Sequence, residues 1–80
     1  MPRLTLISRK YCHLCHDMEA AVIPLAEQFN AEIEILDVDA DQVLEMRYGE
    51  IVPVLLHDGN ELSRFLLDVG KLRDYLEKIG

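Results

Sequence analysis

Both cysteines of this 80-residue chain lie in one five-residue segment, Cys12-His13-Leu14-Cys15-His16. Three chemistries use a segment of this kind: exchange between a dithiol and a disulfide, covalent attachment of haem through C-x-x-C-H, and tetrahedral binding of zinc. A disulfide that spans only two intervening residues removes little entropy from the unfolded chain and therefore stabilises a fold weakly. The spacing favours a bond that opens and closes over one that only holds the fold together.

Hydrophobic patterns place this segment between a strand and a helix. The apolar run Leu4-Thr5-Leu6-Ile7 predicts a buried strand, and apolar residues recur with helical spacing from Leu14 to Phe29. We therefore expect a helix that begins near Cys12 and ends near Asn30. The unpaired N–H groups and positive potential of its amino terminus would favour the thiolate of Cys12.

The two cysteines would then have different roles. Cys12 would attack a substrate disulfide, and Cys15, one helical turn further on and facing inward, would resolve the mixed disulfide. The imidazole of His13, next to the nucleophile, could add positive potential there. His16 is expected to point to solvent.

The remaining patterns predict three strands and two helices. The expected strands are Glu32 to Leu36, Val52 to Leu56 and Glu61 to Phe65, with the last two joined by an Asp58-Gly59 hairpin turn. Asp39 and Gln42 resemble a capping box that opens a short helix, and Gly49 fits a left-handed cap at its end. Asp68 is expected to cap a terminal helix. The predicted order is β-α-β-α-β-β-α.

Composition narrows the partners and the compartment. The net charge of −7 argues against a nucleic-acid partner, and no apolar run is long enough to cross a membrane. The amino-terminal apolar run is too short for the core of a secretory signal. We expect residues 1–80 to form one domain that acts as a cytoplasmic monomer. In that reducing compartment, paired cysteines are more often catalytic or metal-binding than structural.

Cys12-x-x-Cys15 and Val52-Pro53, in this order of elements, resemble the thioredoxin fold and above all small glutaredoxin-like proteins. The resemblance covers essentially all 80 residues. It implies an α/β fold with a four-stranded mixed sheet, helices on both faces, and a cis peptide bond before Pro53. It also implies that the Val52-Pro53 turn faces the substrate. Tyr11, which stands where thioredoxins usually have Trp, and His13, which is next to the nucleophile, are the other expected substrate-binding residues.

The sequence departs from glutaredoxins where those proteins hold glutathione. Glutaredoxins have a Gly-Gly pair and an Asp after the fourth strand, whereas this chain reads Ser63-Arg64-Phe65-Leu66-Leu67-Asp68. Of these residues only Asp68 could take a corresponding role, and bulky side chains obstruct close approach of a ligand to the backbone. The region therefore disfavours glutathione as a co-substrate. No prosthetic group is needed, because the dithiol itself carries the electrons.

Two metal-based alternatives remain weaker. Haem would require export to an oxidising compartment and an axial ligand, for which Met18, Met46 and His57 are candidates. Zinc could use a set of accepted ligand types that do not form two well-spaced pairs. The members of that set are Cys12, Cys15, His16 and His57.

The favoured interpretation is a thiol–disulfide oxidoreductase acting on protein or low-molecular-weight disulfides, with Cys12 and Cys15 catalytic and no metal or bound cofactor. A non-enzymatic binding or redox-sensing module of the same fold is the principal alternative, since a fold does not determine a function.

Overall fold

A computed structural model describes residues 2–79 and contains the predicted elements in the predicted order. The elements are β1 (Arg3–Ser8), α1 (His13–Gln28), β2 (Glu32–Asp37), a 3₁₀ turn (Val38–Ala40), α2 (Gln42–Tyr48), β3 (Val54–His57), β4 (Asn60–Arg64) and α3 (Val69–Ile79). Among them, no helix has both the length and the apolar character that crossing a membrane requires.

The four strands form one mixed sheet in the order β2-β1-β3-β4. β1 runs parallel to β2 and antiparallel to β3, with Leu6 opposite both Ile35 and Leu55. β3 and β4 form an antiparallel hairpin. The carboxyl end of β1 and the amino end of β3 therefore lie together, and the chain leaves this end of the sheet to enter the cysteine segment.

Helices cover both faces of the sheet, as the resemblance implies. On one face, α1 and α3 pack on the apolar side chains of the strands; this cluster contains Leu4, Leu6, Met18, Val22, Leu25, Leu55, Leu72 and Leu76. On the other face, the 3₁₀ turn and α2 cover a smaller cluster of Ile7, Val38, Val54 and Leu56. Because successive side chains of a strand point to opposite faces, β1 and β3 contribute to both clusters.

The hairpin turn and the cap of α3 agree with the sequence predictions. Asp58 and Gly59 both have positive φ, at 50° and 81°, as a two-residue turn with the twist of the flanking strands requires. The carboxylate of Asp68 accepts a hydrogen bond from the backbone N–H of Lys71 at 3.0 Å, and α3 begins at the following residue, Val69.

Two capping predictions for α2 are wrong. The N-cap is Asp41, whose carboxylate accepts from the N–H of Val43 at 2.8 Å, because Asp39 is used within the preceding 3₁₀ turn. Gly49 is right-handed, with φ −56° and ψ −31°. Glycine is required there by close approach, since an added Cβ would lie 2.5 Å from the carbonyl oxygen of Glu45.

Candidate functional site

Cys12 is the N-cap of α1. Its backbone is extended, and its Sγ accepts a hydrogen bond from the N–H of Cys15 at 3.1 Å. Its own N–H donates to the carbonyl of Arg9 at 3.3 Å, which closes the loop between β1 and α1. The first sulfur therefore sits among the free N–H groups of a helix amino terminus, where negative charge is stabilised.

Cys12 and Cys15 are joined in a disulfide, with their Cα atoms 5.2 Å apart. Cys15 is completely buried, whereas Cys12 is only partly buried. A reagent from solvent therefore reaches the Cys12 side of the bond. The inward position predicted for Cys15 from helical spacing is confirmed.

The residues on either side of Cys12 project from the surface. Tyr11 is 97% exposed, and His13 is exposed with its Nε2 3.8 Å from a carboxylate oxygen of Asp17. His16 is exposed as well. Tyr11 and His13 thus border Cys12 in the chain without closing over it.

The Val52–Pro53 peptide bond is cis, as the resemblance implied. Pro53 is buried and its carbonyl accepts from the N–H of Phe65 at 2.8 Å, which joins the turn to the end of β4. Within residues 2–79, the backbone N–H and C=O of Val52 have no hydrogen-bond partner. Since Val54 pairs with Ile7, this turn lies at the same end of the sheet as the cysteines.

Hydrogen bonds from Arg9 to residues far along the chain hold the loop before Cys12. The Nε of Arg9 donates to both carboxylate oxygens of Asp39, at 3.1 and 3.2 Å, and its Nη1 donates to the carbonyl of Gly49 at 3.4 Å. These long-range contacts of Arg9 were not predicted from the sequence. No local pattern signals them, because the partners lie 30 and 40 residues away.

The residues proposed for zinc do not come together. His57 lies at the opposite end of the sheet, paired with Leu4 in the strand register, and contacts the hydroxyl of Tyr75. In the described part of the chain, no three His, Cys, Asp or Glu side chains are placed to hold a metal ion. Of the axial haem candidates, Met18 is in the core and Met46 is exposed.

These features define the class of protein. A mixed four-stranded sheet covered by helices, a C-x-x-C pair opening α1 and a cis proline opening β3 together make a thioredoxin-fold protein with a C-x-x-C pair. A thioredoxin variant from Halobacterium salinarum NRC-1 is 33% identical, with a TM-score of 0.67 over 95% of this chain and 72% of that one. The thioredoxin-like fold and its order of elements are confirmed.

The family follows from the sequence. The glutaredoxin-like domain (DUF836) matches residues 3–77, and the chain belongs to this family. Protein Ne2328 from Nitrosomonas europaea is 31% identical, with a TM-score of 0.80 over 94% of this chain and 92% of that one. Protein XcR50 from X. campestris is 34% identical, with a TM-score of 0.73 over 98% and 95%. No curated protein matches the sequence significantly. Membership of this family and the C-x-x-C pair support a redox role.

Proposed function

We propose that the chain is a thiol–disulfide oxidoreductase in which Cys12 is the nucleophile and Cys15 the resolving thiol. The unequal burial of the two sulfurs carries this proposal, because only the partly exposed Cys12 can meet an incoming disulfide. Its position as the N-cap of α1 supports the same role, since N–H donors at a helix amino terminus stabilise a thiolate.

The exchange consumes one disulfide and forms another. In the reduced protein, the Cys12 thiolate attacks a sulfur of the substrate, releases one substrate thiolate and leaves a mixed disulfide. Cys15 loses its proton and attacks the Sγ of Cys12, which releases the second substrate thiolate and forms the Cys12–Cys15 disulfide. Two electrons pass from the protein to the substrate. An external thiol or dithiol must then reduce the protein.

The surface around Cys12 suits a protein or low-molecular-weight disulfide. Tyr11 and His13 are exposed on either side of the nucleophile, and the unpaired backbone groups of Val52 can bond to an extended peptide in the manner of an added strand. The substrate-facing residues of the proposal are therefore Tyr11, His13, Val52 and Pro53. We also propose that the protein is a monomer and that it acts in the cytoplasm, a compartment that keeps the dithiol reducible.

The test is the stoichiometry of the reaction with 5,5′-dithiobis(2-nitrobenzoate). Reduced wild-type protein should release two equivalents of thionitrobenzoate and end as the internal disulfide. Cys15→Ser should release one and retain the other as a mixed disulfide detectable by mass. Cys12→Ser should react much more slowly, because Cys15 is buried. Equal rates for the two variants would refute the assigned roles.

Turnover separates this proposal from a redox-sensing or binding module. A module of that kind also forms the Cys12–Cys15 disulfide, but its function does not require repeated oxidation and reduction of this pair. With excess dithiothreitol, an oxidoreductase should reduce many equivalents of insulin disulfide above the uncatalysed rate, and the Cys12→Ser variant should add nothing. Two equivalents of thionitrobenzoate without insulin turnover would favour the module.

A further inference from the structure

An apolar cleft lies beside the disulfide. It has a volume of about 290 Å³ and separates the first turns of α1 from the loop that follows β4. Leu14, which stands between the two cysteines, lines one side, and Phe65 and Leu66 line the other. Leu14 belongs to the first turn of α1, which Cys12 caps, so the cleft adjoins the amino-terminal end of that helix.

The apolar side chains of this cleft are left open to solvent. Leu14 begins the apolar stripe of α1 but is 40% exposed, and Phe65 and Leu66 are 41% and 70% exposed. Exposed apolar surface forgoes the free energy that burial would provide. These three side chains are thus available to pack against an apolar group brought by a partner.

The backbone at Phe65 makes this exposure more informative. Phe65 has φ +65°, a conformation that is unusual for a bulky residue and that glycine adopts freely. Hydrogen bonds from the N–H of Phe65 to the carbonyl of Pro53 and from the N–H of Leu66 to that of Arg64 hold the loop. A ring that is 41% exposed is therefore carried at a strained backbone position, and strained positions cluster at functional sites.

The charges around the cleft disfavour a ligand with free carboxylates. Asp17 is the one ionisable side chain among the described lining residues. Arg64, next to Phe65, makes two hydrogen bonds of 2.7 Å to Glu61, and they lower the pKa of that carboxyl. The carboxylate of Asp68 is itself used to cap α3. Glutathione, which has two carboxylates and one ammonium group, finds no free cation in this lining.

We propose that Leu14, Phe65 and Leu66 form a specificity subsite that binds an apolar side chain next to the reactive cysteine of a polypeptide substrate. The subsite rests on the proposed function, because its occupant is the substrate that Cys12 attacks. The hydrogen bond between Phe65 and Pro53 places it beside the unpaired backbone of Val52, so one extended peptide can contact both. The site therefore selects polypeptide disulfides over glutathione.

The test compares three mixed disulfides that have the same thionitrobenzoate leaving group. Two are short blocked peptides that differ only in having Leu or Ser next to the cysteine, and the third is glutathione. The second-order rate constant for thionitrobenzoate release is measured with the Cys15→Ser protein, which stops after the first exchange. The Leu peptide should react about five- to tenfold faster than the Ser peptide, as hydrophobic pockets discriminate, and glutathione should be slowest.

Variants of the subsite assign the preference to it. Leu66→Ser and Phe65→Gly should each reduce the Leu-to-Ser ratio to about twofold or less, while the rate with the Ser peptide changes less than about twofold. Leu66 is largely exposed, so its variant should fold normally, which circular dichroism checks. Met46→Ser is the matched control, because Met46 is exposed on α2 and does not line the cleft.

The outcomes distinguish the two proposals. Release of thionitrobenzoate at equal rates from the three substrates, or a Leu-to-Ser ratio that survives both subsite variants, would overturn the subsite and leave the exchange chemistry standing. No release above the Cys12→Ser background from any of the three would overturn the proposed function and the subsite with it.

Discussion

Each end of the sheet has a tyrosine and a histidine, but the two pairs differ in exposure and in contacts. At the cysteine end, Tyr11 is 97% exposed and His13 reaches no closer than 3.8 Å to Asp17. At the hairpin end, the side chain of His57 is 14% exposed, is hydrogen-bonded to Tyr75 and meets that ring edge to face. One tyrosine–histidine pair packs within the fold, whereas the other two side chains are exposed to solvent.

The difference arises from how each end is closed. At the hairpin end, the Asp58–Gly59 turn joins β3 and β4 directly, and His57 of β3 contacts Tyr75 of α3. At the cysteine end, the loops that leave the strands are held by longer connections, Arg9 to Asp39 and Phe65 to Pro53. An end formed by separate loops leaves room for a cleft and for the partly exposed Cys12.

Removal of the contact between His57 and Tyr75 should have the largest effect on the free energy of unfolding. His57→Ala deletes a hydrogen bond and an edge-to-face ring contact in a partly buried place, so the free energy of unfolding should fall by about 1–2 kcal/mol in urea titrations. Tyr75→Phe is the control that keeps the ring contact and should lose about half as much. The rate of thionitrobenzoate release should stay within about twofold for both. A large loss of rate would show that the two ends are not independent.

A substitution in the Asp58–Gly59 turn, at the hairpin end, should lower the free energy of unfolding by less, and only through the backbone conformation. Gly59 has φ +81°, and apart from its chain neighbours no described residue has an atom within 4 Å of the position that a Cβ would occupy. Gly59→Ala should therefore lower the free energy of unfolding by about 1 kcal/mol through conformational strain alone. Gly59→Asn should lose less, because asparagine tolerates positive φ better than alanine does. If both variants lost the same free energy of unfolding, the cause would be a change in the structure of the turn and not the conformational preference of residue 59.

At the cysteine end of the sheet we expect the opposite result, a loss of reaction rate with little change in the free energy of unfolding. Tyr11→Ala should change the free energy of unfolding by less than about 0.5 kcal/mol, since Tyr11 is almost fully exposed. Its rate constant with the peptide mixed disulfides should nevertheless fall about two- to fivefold through loss of substrate contact. Tyr11→Phe, which keeps the ring, should retain the rate. If Tyr11→Ala instead destabilised the fold as much as His57→Ala does, the comparison between the ends would fail.

Local patterns in the sequence were sufficient for most elements. Alternating and helical spacings located all four strands and three α-helices within a few residues of the observed bounds, and the Asp58-Gly59 and Asp68 signals were correct. The cap of α2 was not predictable in this way. Asp37, Asp39 and Asp41 are all acceptable capping residues, and the 3₁₀ turn that decides among them depends on the burial of Val38 in the tertiary structure.

The sequence by itself determined the chemistry available to this protein: two cysteines at dithiol spacing at the start of an amphipathic helix, with Cys15 on the inward face. Spacing along one helix is a local property, so it survives folding unchanged. Only the tertiary structure decided what surrounds that chemistry. It placed His57 at the far end of the sheet, tied Arg9 to Asp39, and brought Phe65 and Leu66 opposite Leu14. These are contacts between distant segments, and strand register and loop packing set them.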